Sequence, residues 1–113
     1  MGFPHYFVIL RACVITTKYK GFAYIYDISE IIYNNYQVKK TIEFDRTMYH
    51  AVADKYNISV NLIEQNIKTV IERCIANNRK IVEYILGYKI YKRPTNSDFL
   101  ERLVLYIIDL NGK

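Results

Sequence analysis

Four polar side chains, Asn61, Glu64, Gln65 and Lys68, fall three or four residues apart, the spacing that aligns one face of a helix. Their chemistry suits the edges of DNA bases. The amides of Asn and Gln pair with adenine, Glu accepts from cytosine N4, and Lys reaches guanine or a phosphate. Any amphipathic helix carries such a row on its solvated face, so spacing alone leaves both readings open. Lys55, Thr69, Arg73, Lys92 and Arg93 are candidate phosphate contacts. The backbone at Thr95, Asn96 and Ser97 joins them, because a helix start favours an anion. The plainer alternatives are ordinary surface charge for Lys92 and Arg93 and simple capping for Thr95.

Catalytic chemistry finds no comparable set. His5 and His50 are isolated, no Gly-rich phosphate loop occurs, and no Ser-His-Asp or Cys-His grouping is apparent. A Tyr nucleophile of the DNA-joining kind needs supporting Arg and His groups that so short a chain would struggle to host. Enzymatic activity is therefore not expected. Cys13 and Cys74 stand far apart without CxxC or His spacing, so neither a metal site nor a disulfide framework is expected, and no cofactor. Cys74 falls on the apolar stripe of a helix and reads as a buried, reduced thiol.

These residues need elements to position them, and composition restricts the choice. The 113 residues suit one ordinary domain, 1–113, with 51% apolar and 24% charged residues. Four Gly and two Pro leave little material for many sharp turns, which argues for helices joined by short loops. The expected fold is all-α, one compact domain of about five to six helices containing a helix-turn-helix variant. A net charge of +5 makes an acidic partner plausible, nucleic acid being the commonest. The run Phe7-Val8-Ile9-Leu10 before Cys13 faintly resembles a lipoprotein cleavage site. It lacks a preceding basic residue, is too short and is interrupted by Arg11. No stretch approaches the ~18 apolar residues of a membrane span, so a soluble, cytoplasmic location with no membrane partner is expected.

Periodicity then orders the chain. Residues 6–15 read as a short first helix, and Gly21 as punctuation after it. Phe22, Ile25, Ile28, Ile31 and Ile32 predict a helix ending at Asn34-Asn35, with a loop or frayed end over 37–41. Asp45 is placed to cap a helix carrying Met48, Tyr49, Val52, Ala53 and Tyr56, closed by Asn57. Ser59 caps a long helix to about Asn77, striped by Val60, Ile63, Ile67, Val70, Ile71, Cys74 and Ile75. A short helix over 79–86 ends at Gly87, and 88–93 reads as an extended connection or hairpin arm. Thr95 and Asp98 have capping-box spacing before a last helix bearing Phe99, Leu100, Leu103, Val104, Ile107 and Ile108. The helices on either side of Asn57 have helix-turn-helix dimensions, the second being the one that enters a major groove.

Specific strings go further. From about Lys18 to Ile107 the chain carries Lys20-Gly21-Phe22, Ile31-Ile32-Tyr33-Asn34, Ala53-Asp54-Lys55-Tyr56-Asn57, Ile63-Glu64, Ile71-Glu72, Leu86-Gly87-Tyr88 and Lys92-Arg93-Pro94-Thr95-Asn96-Ser97-Asp98-Phe99. In these it resembles the C-terminal effector domains of stage zero sporulation protein A, the sporulation response regulator. The resemblance implies an all-helical domain with a helix-turn-helix variant. It also implies binding to a short AT-rich operator box, often in tandem copies, hence double-stranded DNA as partner and a possible homodimer. That family usually carries an N-terminal receiver domain phosphorylated on Asp. This chain has no room for one and reads as an excised domain or a stand-alone effector.

The departures fall on the reading helix. Where the family has arginines this chain has Leu62 and Gln65, and Thr69 stands where the family has histidine. Glu64 keeps its identity and Lys68 its charge. Each lost bidentate contact removes about 1–3 kcal/mol of discrimination, so the expectation is a DNA-binding regulator of altered or relaxed specificity. Glu64, Gln65 and Lys68 would face bases, with Asn61 near the groove edge. The alternative is a paralogue that does not read DNA and instead modulates a full-length related regulator, for which an apolar Leu62 on the helix front would be suited.

Overall fold

In the computed structural model the described residues are 20–111, and they form four helices with no strand among them. The expected helix over 6–15, with Cys13 and His5, lies outside the described residues. Helix α1 spans Lys20–Lys39, α2 Thr47–Tyr56, α3 Val60–Leu86 and α4 Asn96–Asn111. The count is below the five to six expected partly for that reason. It is also lower because α3 takes in both helices expected over 59–77 and 79–86, and the break expected between them is found at Asn78, with a non-helical φ of −156° and ψ of 77°. The Asn78 side-chain oxygen accepts the Ile81 N–H at 3.3 Å, restarting the helix as an N-cap would.

Two expectations in α1 are corrected. Asn34-Asn35 does not end the helix, which runs on to Lys39 and stops where Lys40 turns left-handed at φ 61°. Asn is a mediocre helix former, not a breaker, and the helix continues until a residue leaves helical backbone. Gly21 is not punctuation. It sits buried inside α1, where an added Cβ would lie 2.1 Å from the Asn66 carbonyl oxygen and 2.8 Å from Val70 Cγ2. The missing side chain lets α1 cross close against α3.

Other ends follow local chemistry. The Asp45 carboxylate accepts the Thr47 N–H at 2.8 Å, but Arg46 holds the N-cap position, one residue later than expected. Asn57 closes α2 in the left-handed region at φ 57°. Ser59 caps α3, its hydroxyl accepting from Leu62 N–H at 3.2 Å, an arrangement worth about 1 kcal/mol. Gly87 ends α3 at φ 84°. The Thr95 hydroxyl accepts the Asp98 N–H at 3.0 Å, whereas the Asp98 carboxylate is engaged by the Tyr88 hydroxyl and Arg102. The connection over 88–93 holds no strand, so the hairpin arm is not formed.

The stripes converge on one core. Ile25, Ile28 and Ile32 of α1, Ile63, Ile67 and Ile71 of α3, and Phe99, Leu100 and Leu103 of α4 are fully buried. Met48, Tyr49, Val52 and Ala53 bring α2 onto the same core. Cys74 is buried within it. Tyr56 departs from its expected apolar role. It is exposed, its ring edge-on to Tyr24, and its hydroxyl donates to Asp27 at 2.6 Å.

Candidate nucleic-acid interface

The exposed front of α3 and the start of α4 meet in one open cleft of about 540 Å³. Ser59 fixes where α3 begins, and the apolar stripe fixes which face turns outward. Glu64, Gln65 and Lys68 are thereby delivered to one wall. Pro94 is buried and Thr95 caps α4, which brings Arg93, Thr95, Asn96 and Ser97 to the facing wall. Seven of the expected site residues thus share one concavity. Phe44, Arg46 and Tyr49 complete its lining.

Arg46, Tyr49 and Phe44 were not foreseen. Arg46 grips Glu64 through both guanidinium nitrogens, at 3.1 and 3.4 Å, and lies over the Tyr49 ring at 5.4 Å. Hydrogen bonding to Glu64, reinforced by its charge, raises the guanidinium's pKa. The carboxylate of Glu64 is therefore neutralised locally before any ligand arrives. Tyr49 is buried and edge-on to Phe44, and burial is the main reason its hydroxyl titrates above the ordinary value. The pairing joins two elements eighteen positions apart, which no periodicity along one helix reveals. A basic residue beside the Asp45 cap was the only signal in the chain.

The Asn96 side chain has a post of its own, apart from the backbone contact expected there. Its amide donates to the Tyr49 hydroxyl at 3.2 Å and to the Glu64 carbonyl at 3.1 Å, so its side chain ties α4 to α2 and α3. Only its backbone remains as a candidate anion contact. Arg93 pairs with Glu72 at 3.5 Å while 38% of its side chain stays exposed. Lys68 has no ion-pair partner among the described residues.

The remaining expected residues do not line this cleft. Asn61 is exposed in the first turn of α3. The Thr69 hydroxyl donates to the Gln65 carbonyl at 3.0 Å, and Arg73 lies further along α3 with an interaction of its own. Lys92 is exposed on the adjoining connection. Lys55 is turned toward α1, where Asp27 receives it at 3.2 Å together with the Tyr56 hydroxyl. That bond, with burial, pushes the Tyr56 pKa up to about 12. His50 is exposed on α2. Among the described residues no group of His, Cys, Asp or Glu is placed to hold a metal ion, and no helix is long and apolar enough to cross a membrane.

A basic cleft of this kind on a helical domain has a counterpart in sequence. A family model described as sporulation initiation factor Spo0A, C terminal, matches residues 7–107. The chain belongs to this family. It is a family of DNA-binding effector domains of a transcription regulator of sporulation. The Spo0A C-terminal match covers the whole cleft, from Phe44 to Ser97, so the cleft belongs to the shared domain and not to an appendage. No solved structure matches the chain.

Proposed function

We propose that this Spo0A-type effector domain binds double-stranded DNA, with the front of α3 in a major groove and the start of α4 against the backbone. The observation that carries this reading is the cleft itself. Gln65 and Lys68 share it with Arg46, Arg93 and a helix N-terminus, which is the mixture of base-edge and phosphate chemistry a groove demands. In this reading α2 and α3 act as the helix-turn-helix pair, Gln65 pairs with adenine and Lys68 reaches guanine or phosphate. Asn61 meets the groove edge, and Glu64, held by Arg46, accepts from cytosine. Arg93 and the amides at Thr95 to Ser97 hold phosphates, with Lys55, Thr69, Arg73 and Lys92 outlying. The preferred site is AT-rich and altered from that of the family, and a homodimer occupies tandem copies.

Titration of AT-rich and random duplexes at several salt concentrations tests this. Binding that weakens steeply with salt supports it, and Lys68→Ala should flatten the slope of log affinity against log salt by about 0.9. No binding at low salt, or a flat slope, sinks it.

One observation favours a second reading. Leu62, 48% exposed on the α3 front, suits a protein surface better than a groove. On that reading the domain pairs with a related regulator. Gel filtration with such a regulator, in the absence of DNA binding by the isolated chain, would favour it.

A further inference from the structure

Just beyond the cleft, the connection between α3 and α4 displays Tyr91 with 91% of its surface exposed, yet the segment carrying it is firmly anchored. Its neighbour Ile90 is buried at 5% exposure. Both backbone groups of Ile90 are taken by side chains from the end of α3. Glu83 accepts the Ile90 N–H at 2.8 Å, Arg79 donates to the Ile90 carbonyl, and Arg79 and Glu83 pair with each other at 3.5 Å. An exposed loop with no task has no need of two such hydrogen bonds and a buried side chain. They hold one peptide so that the next side chain must project into solvent. A tyrosine held this way keeps a large apolar ring in water, on a backbone with little entropy left to lose on contact.

Charge says what the ring meets. Lys89 and Lys92 flank it, both exposed, and Arg93 follows. The hollow that Tyr91 lines shares Arg93 and Thr95 with the cleft of α3 and α4, so the two form one continuous surface. An acidic protein would neutralise the lysines equally well. Continuity with the phosphate-facing start of α4 points instead to the same polyanion running on.

We infer that the segment from Lys89 to Lys92 is a second DNA contact, in which the Tyr91 ring lies against a deoxyribose flanking the base-reading site while Lys89 and Lys92 hold the phosphates on either side. This rests on the DNA-binding reading of the cleft. The contact adds affinity and lengthens the site without reading bases, so it compensates in part for the arginines absent from the front of α3.

The test is hydroxyl-radical footprinting and titration on an AT-rich duplex of about 30 base pairs, three helical turns, with the full chain, Tyr91→Ala, Tyr91→Phe and Lys89→Ala/Lys92→Ala. All three substituted positions are exposed, and circular dichroism checks the fold. Tyr91→Ala should weaken binding about tenfold, as the loss of one good contact does. It should also uncover the flanking sugars while central protection persists, and Tyr91→Phe should behave as the parent. The double lysine variant should lower the salt slope by about 1.8, two phosphate contacts. If the parent chain binds no duplex, the DNA-binding reading itself fails. If the parent binds and both the alanine and lysine variants reproduce its affinity, slope and footprint, this inference is overturned and the cleft alone carries binding.

Discussion

Arg46 and Glu64 form a two-pronged pair across the mouth of the cleft, at 3.1 and 3.4 Å, joining the start of α2 to the front of α3. Both partners are substantially exposed, at 64% and 34% of their side chains, so the pair adds at most about 1 kcal/mol to stability. Its consequence is electrostatic, since it covers the one acidic side chain that lines the cleft. Glu64→Ala should leave the thermal midpoint nearly unchanged, tighten binding to random duplexes and reduce discrimination between duplexes. Arg46→Ala should weaken binding to every duplex by leaving the carboxylate uncovered. Equal effects of the two variants on random DNA would refute the covering role.

Asn96 fastens the cleft's two walls. Its amide reaches both the Tyr49 hydroxyl and the Glu64 carbonyl in a partly buried setting. Asn96→Ala should cost about 1–3 kcal/mol in urea unfolding, because a buried hydroxyl and a helix carbonyl lose their donor together. A change under about 0.5 kcal/mol, the range of ordinary surface positions, would show that the fastening is incidental.

Gly21 sets the distance between α1 and α3. A methyl group there would meet the Asn66 backbone oxygen at 2.1 Å, and backbone cannot rotate away. Gly21→Ala should therefore destabilise by about 1–3 kcal/mol despite the better helix propensity of alanine. A raised melting temperature would show that the helices separate at little cost.

Glu83 links the anchored connection to acid stability. Its carboxylate is held below its ordinary value of 4.5, first by the Ile90 N–H and then by Arg79 and Lys89. A carboxylate depressed in the folded state stabilises above its unfolded value, and the contribution disappears as pH falls through the folded one. Glu83→Gln should accordingly melt below the parent at pH 7, with the gap closing on acidification below pH 4.5. A gap constant from neutral to acid pH would assign the effect to packing.

The chain's own order determined more than the helices. Residues spaced at 3.6 positions bury one face whatever the partner, so Ile63, Ile67, Val70, Ile71 and Cys74 already placed Gln65 and Lys68 on the outer face. Ser59, Asn57, Gly87 and Thr95 marked their boundaries because capping is local chemistry between residues a few positions apart. The strings around Lys20-Gly21-Phe22 and Pro94-Thr95-Asn96-Ser97 carried the family. What only the tertiary structure decided are relations between elements. Gly21 reads as a break until α3 is seen against it. Asn96 reads only as a helix-start residue, and the bonds of its amide to Tyr49 and Glu64 are not foretold. Lys55 shows no partner until α1 brings Asp27 to it, and Arg46 reads as nothing until it closes on Glu64. Periodicity reports which way a side chain leaves its own helix. Which side chain stands opposite depends on crossing angles and separations fixed by the packed core, and these have no signature along the chain.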